Sequence, residues 1–149
     1  MNPKNEYSVP SLMIFEIGAL RNRILRDCNK IFREKEFLLE MDQIPVVLSL
    51  YYEGGASQQE ICSRLLRNKA SVNRTVSFLL NKDIVRVMQD LVDKRKTWIE
   101  LTDAGKKLAG QAHAILEKYN VSLSSVLTKE ESNQFHNLML KLINPATST

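Results

Sequence analysis

Within residues 57–102, SQQEICSRLLRNKASVNRTVSFLLNKDIVRVMQDLVDKRKTWIELT, the hydrophobic period switches from helical to alternating, and this switch limits the folds open to the chain. Ser57 and Glu60 have capping-box spacing, so a short helix opens at Ser57 and sets Ile61, Cys62 and Leu65 on one face. After the break at Leu66–Asn68, Asn68 is placed to cap a second helix, in which Val72, Val76, Leu79 and Leu80 recur at helical spacing. Two short helices joined by so brief a turn predict a helix-turn-helix. Beyond Ile84, Val85–Met88 and Thr97–Leu101 are rich in β-branched and large apolar residues. The charged segment QDLVDKRK between them predicts a hairpin with a basic tip.

The helix pair, Asp93-Lys94-Arg95 at the hairpin tip, and Leu101-Thr102 leading into a new helix together resemble the MarR family of winged helix-turn-helix transcription regulators. The spacing D-x-R, five residues, then L-T is similar to the family's wing signature, and with the flanking helices the likeness covers nearly the whole chain. Asp83 stands where a helix-ending glycine is usual, and Leu91 where the wing often has proline. The resemblance implies a mainly α fold with a small β-hairpin wing, as a single domain over residues 1–149. Its winged helix-turn-helix lobe (42–102) would lie between dimerisation helices at 10–35 and 103–143. It further implies a homodimer that binds a pseudo-palindromic operator in double-stranded DNA as a repressor. A small aromatic effector, lodged beside the dimer helices where Tyr51 or Tyr52 could line a pocket, would relieve repression.

At 149 residues, with 44% apolar and 26% charged content, the chain suits one packed domain. A net charge of +4 permits a polyanionic partner without requiring one. The distribution says more: Arg64, Arg67, Lys69, Arg74, Lys82, Arg86, Lys94, Arg95 and Lys96 face only Asp83, Asp90 and Asp93 across that stretch. Leu12–Leu20 is interrupted by Glu16 and lacks a small-residue cleavage site. The longest uncharged apolar segment, Gln43–Tyr52, has half the roughly 20 residues of a membrane span, so a cytoplasmic protein without membrane association is expected.

The first eight residues are polar and expected to fray. From about Pro10 a long helix is expected, with Ile17, Leu20, Ile24, Cys28 and Ile31 as its stripe. Its start, Leu12–Phe15, is apolar nearly all round, which suggests a partner chain. Asp42 is expected to cap the next helix, with Pro45 in its first turn, Gly54-Gly55 as its stop, and Val46, Val47, Leu50 and Tyr51 in the core. Thr102 is placed to cap a third long helix whose apolar side carries Leu108, Ala112, Ile115, Leu116 and Tyr119. Thr128 and Glu131 form a second capping box, opening a helix striped by Phe135, Leu138, Met139 and Leu142. Asn144-Pro145 ends it, and ATST is a loose tail. The long flanking helices are either scaffold for a monomer or a dimerisation bundle.

With Val72, Val76 and Leu79 turned inward, the second short helix exposes Lys69, Ala70, Ser71, Asn73, Arg74 and Ser77, short polar or planar groups suited to the major groove. Asn73 could pair with an adenine edge, and Arg74 with guanine or a phosphate. The expected DNA-binding set is Lys69, Ser71, Asn73, Arg74 and Ser77 from the helix, with Arg86, Asp93, Lys94 and Arg95 from the wing. Arg95 would enter the minor groove. By resemblance, Asp93 would orient that arginine and brace the wing. Trp98 is expected to pack. Cys28 and Cys62 are expected to be inert buried thiols outside any basic pocket, and His113 and His136 to have structural or solvent roles. No nucleophile, paired-carboxylate or metal constellation emerges, so neither an enzyme nor a cofactor is expected. The competing class is a winged-helix protein-assembly module without specific DNA affinity.

Overall fold

The computed structural model describes residues 12–147; Pro10, the polar first residues and the last two residues lie outside the described residues. It contains two compact units, residues 1–112 and 113–149. In the first, helices α1 (Met13–Glu34) and α2 (Ile44–Glu53) precede strand β1 (Ala56–Ser57), α3 (Gln58–Leu65) and α4 (Lys69–Asn81). Strands β2 (Val85–Gln89) and β3 (Thr97–Leu101) follow, and then α5 (Asp103–Ser124), which continues into the second unit. The strands form an antiparallel sheet in the order β1-β3-β2, with Arg86 opposite Glu100 and Met88 opposite Trp98. Two-residue β1, pairing Ala56 with Ile99 and Ser57 with Trp98, is too short to show an alternating pattern, so periodicity does not reveal it. The architecture is a winged helix-turn-helix.

Local chemistry explains most boundaries. Ser57 Oγ accepts from the Glu60 amide while the Glu60 carboxylate accepts from the Ser57 amide, and Asn68 Oδ1 accepts from the Ser71 amide at 2.8 Å. Thr102 Oγ1 accepts from the Gly105 amide at 3.0 Å and also lies 2.7 Å from the Asp83 carbonyl, to which it can donate. The expected cap at Asp42 is absent: Gln43, already in helical conformation, precedes α2, and the Asp42 carbonyl is engaged elsewhere. Gly54, at φ 81°, ends α2 as expected. Gly55 leaves room for the Trp98 indole, since a Cβ there would lie 2.5 Å from Nε1.

Three helices of this unit end on a left-handed residue that is not glycine: Glu36, Leu66 and Asp83. At α4, the Asp83 amide donates to Leu80 and the Ile84 amide to Leu79, the paired bonds of a Schellman turn. Asp83 therefore fills the glycine position without loss of the turn, and Ile84 is delivered into the core beside Leu79. Phe37 returns onto Phe32 in the same way at α1, with ring centroids 5.2 Å apart.

The core combines Phe32, Leu39, Ile44, Val46, Val47, Ile61, Val72, Leu79, Val85 and Ile99. Tyr51, expected in the core, is exposed instead, as is Leu80 of the apolar set on α4, while Thr75 is buried. Thr75 can be buried because Arg67 donates to its hydroxyl at 3.0 Å. The same guanidinium donates to the Asp42 carbonyl at 2.9 Å and to Ser71 Oγ at 2.6 Å, tying the approach to α2, the helix-turn-helix turn and α4 together. Gly105 lets α5 approach the wing base, because a Cβ there would lie 2.0 Å from the Ile84 carbonyl oxygen.

The second unit contains the end of α5, a turn, α6 (Lys129–Ile143) and a 3-10 turn at Pro145–Thr147, so the expected loose tail is partly ordered. Thr128 and Glu131 form the expected capping box. None of α6 is buried, and Phe135, Leu138, Leu142 and Ile143 are exposed, as are Leu12–Phe15 around the start of α1. No helix among the described residues is long and apolar enough to cross a membrane.

Arg67→Ala should lower unfolding free energy by about 2–3 kcal/mol, since it strips the buried Thr75 hydroxyl and a backbone carbonyl of their donor. Arg67→Lys should recover only part of this, because an ammonium cannot reproduce the fork. Urea denaturation midpoints check both, and two wild-type-like midpoints would refute the assignment.

Candidate nucleic-acid interface

Helix α4 divides cleanly. Val72, Thr75, Val76 and Leu79 are buried, and Lys69, Asn73, Arg74 and Ser77 are exposed along the opposite side. Ser71 departs from the expected exposed set: it is half-buried and its hydroxyl accepts from Arg67. Arg86 is likewise held by the sheet, where its guanidinium pairs with Glu100 directly across the β2–β3 register. Arg64, also counted in the basic excess, meets Glu53 at 3.0 Å. Three of the expected cations, Arg64, Arg67 and Arg86, are thus engaged within the fold, whereas Lys69, Arg74, Lys94, Arg95 and Lys96 are exposed.

The wing tip is closed by a compact set of hydrogen bonds. Asp90 donates its amide to the Lys96 carbonyl, and its Oδ1 accepts from the amides of Val92 and Asp93 at 2.8 and 3.3 Å. Asp93 Oδ1 accepts from the Arg95 amide at 3.0 Å, and the Asp93 carbonyl accepts from the Lys96 amide. The carboxylate therefore braces the turn through the backbone of Arg95 rather than by gripping its guanidinium.

Lys69 and Arg95, inferred from separate elements, meet around one open cleft of about 370 Å³. Its other lining residues are Ser57, Gln58, Gln59 and Cys62 from β1 and α3, with Lys96 and Thr97 at the tip end of the wing. Gln58 Nε2 donates to the Lys69 carbonyl at 3.3 Å, fastening the start of α3 to the start of α4. Three cations and the positive end of α3 give the cleft an anion-attracting character. Gln58, Gln59 and Thr97 carry no sequence signal for this role, because only the folded turn shows that the starts of α3 and α4 share a wall with the wing. Asn73, Arg74 and Ser77 lie outside this lining, on the exposed side of α4.

The cysteines differ. Cys28 is fully buried, and burial, reinforced by neighbouring Asp27, pushes its thiol pKa up, as befits an inert core thiol. Cys62 is only half-buried and borders the cationic cleft, contrary to the expectation for a sealed thiol. His113 stands 3.8 Å from Glu117, and His136 is exposed. Among the described residues no cluster of His, Cys, Asp and Glu could hold a metal ion.

The backbone hydrogen bonds from Val92 and then Asp93, with help from nearby Lys96, hold the Asp90 carboxyl below its ordinary pKa. A depressed carboxylate pKa means that the wing-turn contribution is fully present above the ordinary value and is lost as pH falls through the lowered one. In an acid titration the Val92 and Asp93 amide resonances should move together, with a midpoint below 3.8. Asp90→Asn should abolish that transition, and a midpoint at or above the ordinary value would contradict the staple.

Comparison with known proteins supports the architecture. The MarR family model matches residues 39–97. The HTH-type transcriptional regulator BilQ of Clostridium symbiosum is 26% identical over 127 residues, covering 83% of this chain and 88% of that regulator. The transcriptional regulator HosA of Escherichia coli O127:H6 is 24% identical over 133 residues, covering 85% and 98% of the two chains. Among solved structures, a MarR/EmrR family transcriptional regulator from Acinetobacter sp. ADP1 superposes with a TM-score of 0.80 at 26% identity, covering 91% of this chain and 95% of that one. The fold is also shared with the S. aureus MepR-DNA complex, with a TM-score of 0.82 at 21% identity over 92% of this chain and 99% of that one. The chain thus shares the helix pair and wing of these regulators, its residues 39–97 match the MarR family model, and its likeness to them runs over most of its length.

Proposed function

We propose that the chain is a transcriptional regulator that binds double-stranded DNA, with residues 42–102 as the reading lobe. The observation that carries this reading is the cleft where Lys69 of the exposed α4 face and Arg95 of the wing converge. One of these cations lies on a helix of major-groove dimensions, and the other on a hairpin tip from which an arginine side chain can reach into the minor groove. Lys69, Asn73, Arg74, Ser77, Lys94 and Arg95 touch DNA in this reading, Ser71 and Asp93 hold the contacting elements, and Arg86 stays with Glu100. The DNA complex of MepR supports the assignment by shared fold.

The protein acts as a homodimer, with residues 10–35 and 103–143 supplying the subunit contact, and represses from a pseudo-palindromic operator. The exposed apolar residues at the start of α1 and along α6 support this, since an isolated chain leaves them wet. A small aromatic effector binding beside Tyr51 and Tyr52 releases the DNA; these rings meet edge-on at 5.4 Å and are exposed.

Selection from random DNA should enrich an inverted repeat, bound by a species of about twice the 17.1 kDa chain mass in light scattering. On that repeat Arg95→Ala should weaken binding about tenfold or more and lower the salt slope by about two units per dimer, at unchanged melting temperature. Lys94→Ala should cost less. Equal small losses for both would reduce the wing to diffuse charge, and failure to enrich any sequence would favour a protein-assembly module.

Aromatic acids that bind beside the tyrosines should weaken operator affinity by roughly 1–3 kcal/mol of coupling, measured by anisotropy titration. Tight binding with unchanged DNA affinity would remove the effector from this account.

A further inference from the structure

The wing tip presents an apolar pair where a solvated hairpin would carry polar residues. Leu91 is 100% exposed and Val92 95% exposed, and they sit on the turn that Asp90 and Asp93 staple. Behind Leu91, Met88 and Trp98 face each other in register and help line an open, mainly apolar cavity of about 430 Å³. The apolar surface is therefore contiguous and held on a braced turn, unlike a single exposed aliphatic residue. Lys94, Arg95 and Lys96, all exposed, follow immediately on the other limb.

We propose that Leu91 and Val92 form an apolar wedge that enters the minor groove of double-stranded DNA beside Arg95 and opens a base step, while Lys94 and Lys96 hold the flanking phosphates. Charge complementarity selects this occupant. A second copy of the wing would bring two triplets of cations together, whereas the minor groove offers an apolar wall of sugars between two rows of phosphate. Opening a step is least costly at a flexible pyrimidine–purine step, so the wedge gives the protein a preference for deformable sequence at positions that no side chain reads by hydrogen bonding. The inference rests on the DNA-binding reading above and adds to it a mode of recognition separate from charge.

The test uses the full chain and the inverted repeat enriched by selection, with 2-aminopurine placed in turn at each flanking pyrimidine–purine step. Wild-type protein should raise the fluorescence at one step per half-site as the base unstacks. It should also bind a duplex carrying a stiff A-tract at that step more weakly. The double variant Leu91→Ser, Val92→Ser should bind about tenfold more weakly, lose the fluorescence rise and the A-tract discrimination, and keep the wild-type salt slope, because it removes buried apolar area and no charge. Leu91→Met should restore most of the affinity. Enrichment of a repeat with unaltered affinity in the double variant overturns the wedge alone, whereas failure to enrich any sequence removes the DNA reading and the wedge with it. A concentration-dependent higher oligomer that the double variant abolishes at intact DNA affinity would assign the patch to a second copy, and overturns the proposal as well.

Discussion

The Arg67 guanidinium joins elements that backbone hydrogen bonding leaves separate. It reaches the carbonyl of Asp42 before α2, the hydroxyl of Ser71 in the first turn of α4, and the hydroxyl of buried Thr75 one turn later. A planar fork with several donors can satisfy three acceptors at fixed angles, which a single ammonium cannot. Because Thr75 is buried, its hydroxyl needs that partner, and because Ser71 is recruited, the first turn of α4 is held from inside. The opposite side of the helix remains available to solvent. Orientation of Lys69, Asn73 and Arg74 thus depends on an arginine that itself faces the fold.

Strain near that arginine is distributed in a consistent way. Leu66, the residue before it, occupies the left-handed region at φ 51°, a conformation that disfavours a side chain bearing a Cβ. The Arg67 amide then returns to the Cys62 carbonyl at 3.1 Å, closing α3 at the point where the chain turns toward α4. The short turn therefore sets the helix crossing by geometry, and the guanidinium secures it. Asp83 repeats the device at the other end of α4, where it directs the chain into β2 and places Ile84 against Gly105 of α5. Both ends of the exposed helix are consequently anchored to buried groups.

How much of the fold is legible in the sequence depends on the range of each interaction. The Ser57–Glu60 and Thr128–Glu131 boxes and the Asn68 and Thr102 caps are local, and each appears where spacing predicts it. Strands β2 and β3 are visible because the hydrophobic period changes at Val85. Asp42 misleads because its side chain type suits a cap, yet its carbonyl is wanted by a residue 25 positions away. Arg67 and Arg86 look like free surface charge in the sequence for related reasons: Arg67 lies in the turn before α4, so its reach to Ser71 and Thr75 follows from the turn geometry and not from a helical spacing, and Glu100 meets Arg86 only across the β2–β3 register. Thr75 breaks the apolar stripe and is nevertheless inside. The cleft is half legible, since sequence points to Lys69 and Arg95 separately but not to their convergence with α3.

Electrostatics then separates two kinds of basic residue that composition merges. Arg64, Arg67 and Arg86 each have an acidic neighbour within the fold, Glu53, Asp42 and Glu100 respectively. Their positive charge is offset nearby, so they contribute little to the field beyond a Debye length of about 8 Å at physiological salt. Lys94, Arg95 and Lys96 adjoin Asp90 and Asp93, whose carboxylates accept from backbone amides of the turn and form no ion pair with these side chains, so the tip keeps three cations against two carboxylates. With Lys69 across the cleft, these side chains present a concentrated cationic edge on a chain whose net charge is only +4. A modest overall charge is therefore compatible with strong local attraction of a polyanion, because the acidic residues that lower the total are spent on holding the fold together while the exposed lysines and arginines gather at its reading edge.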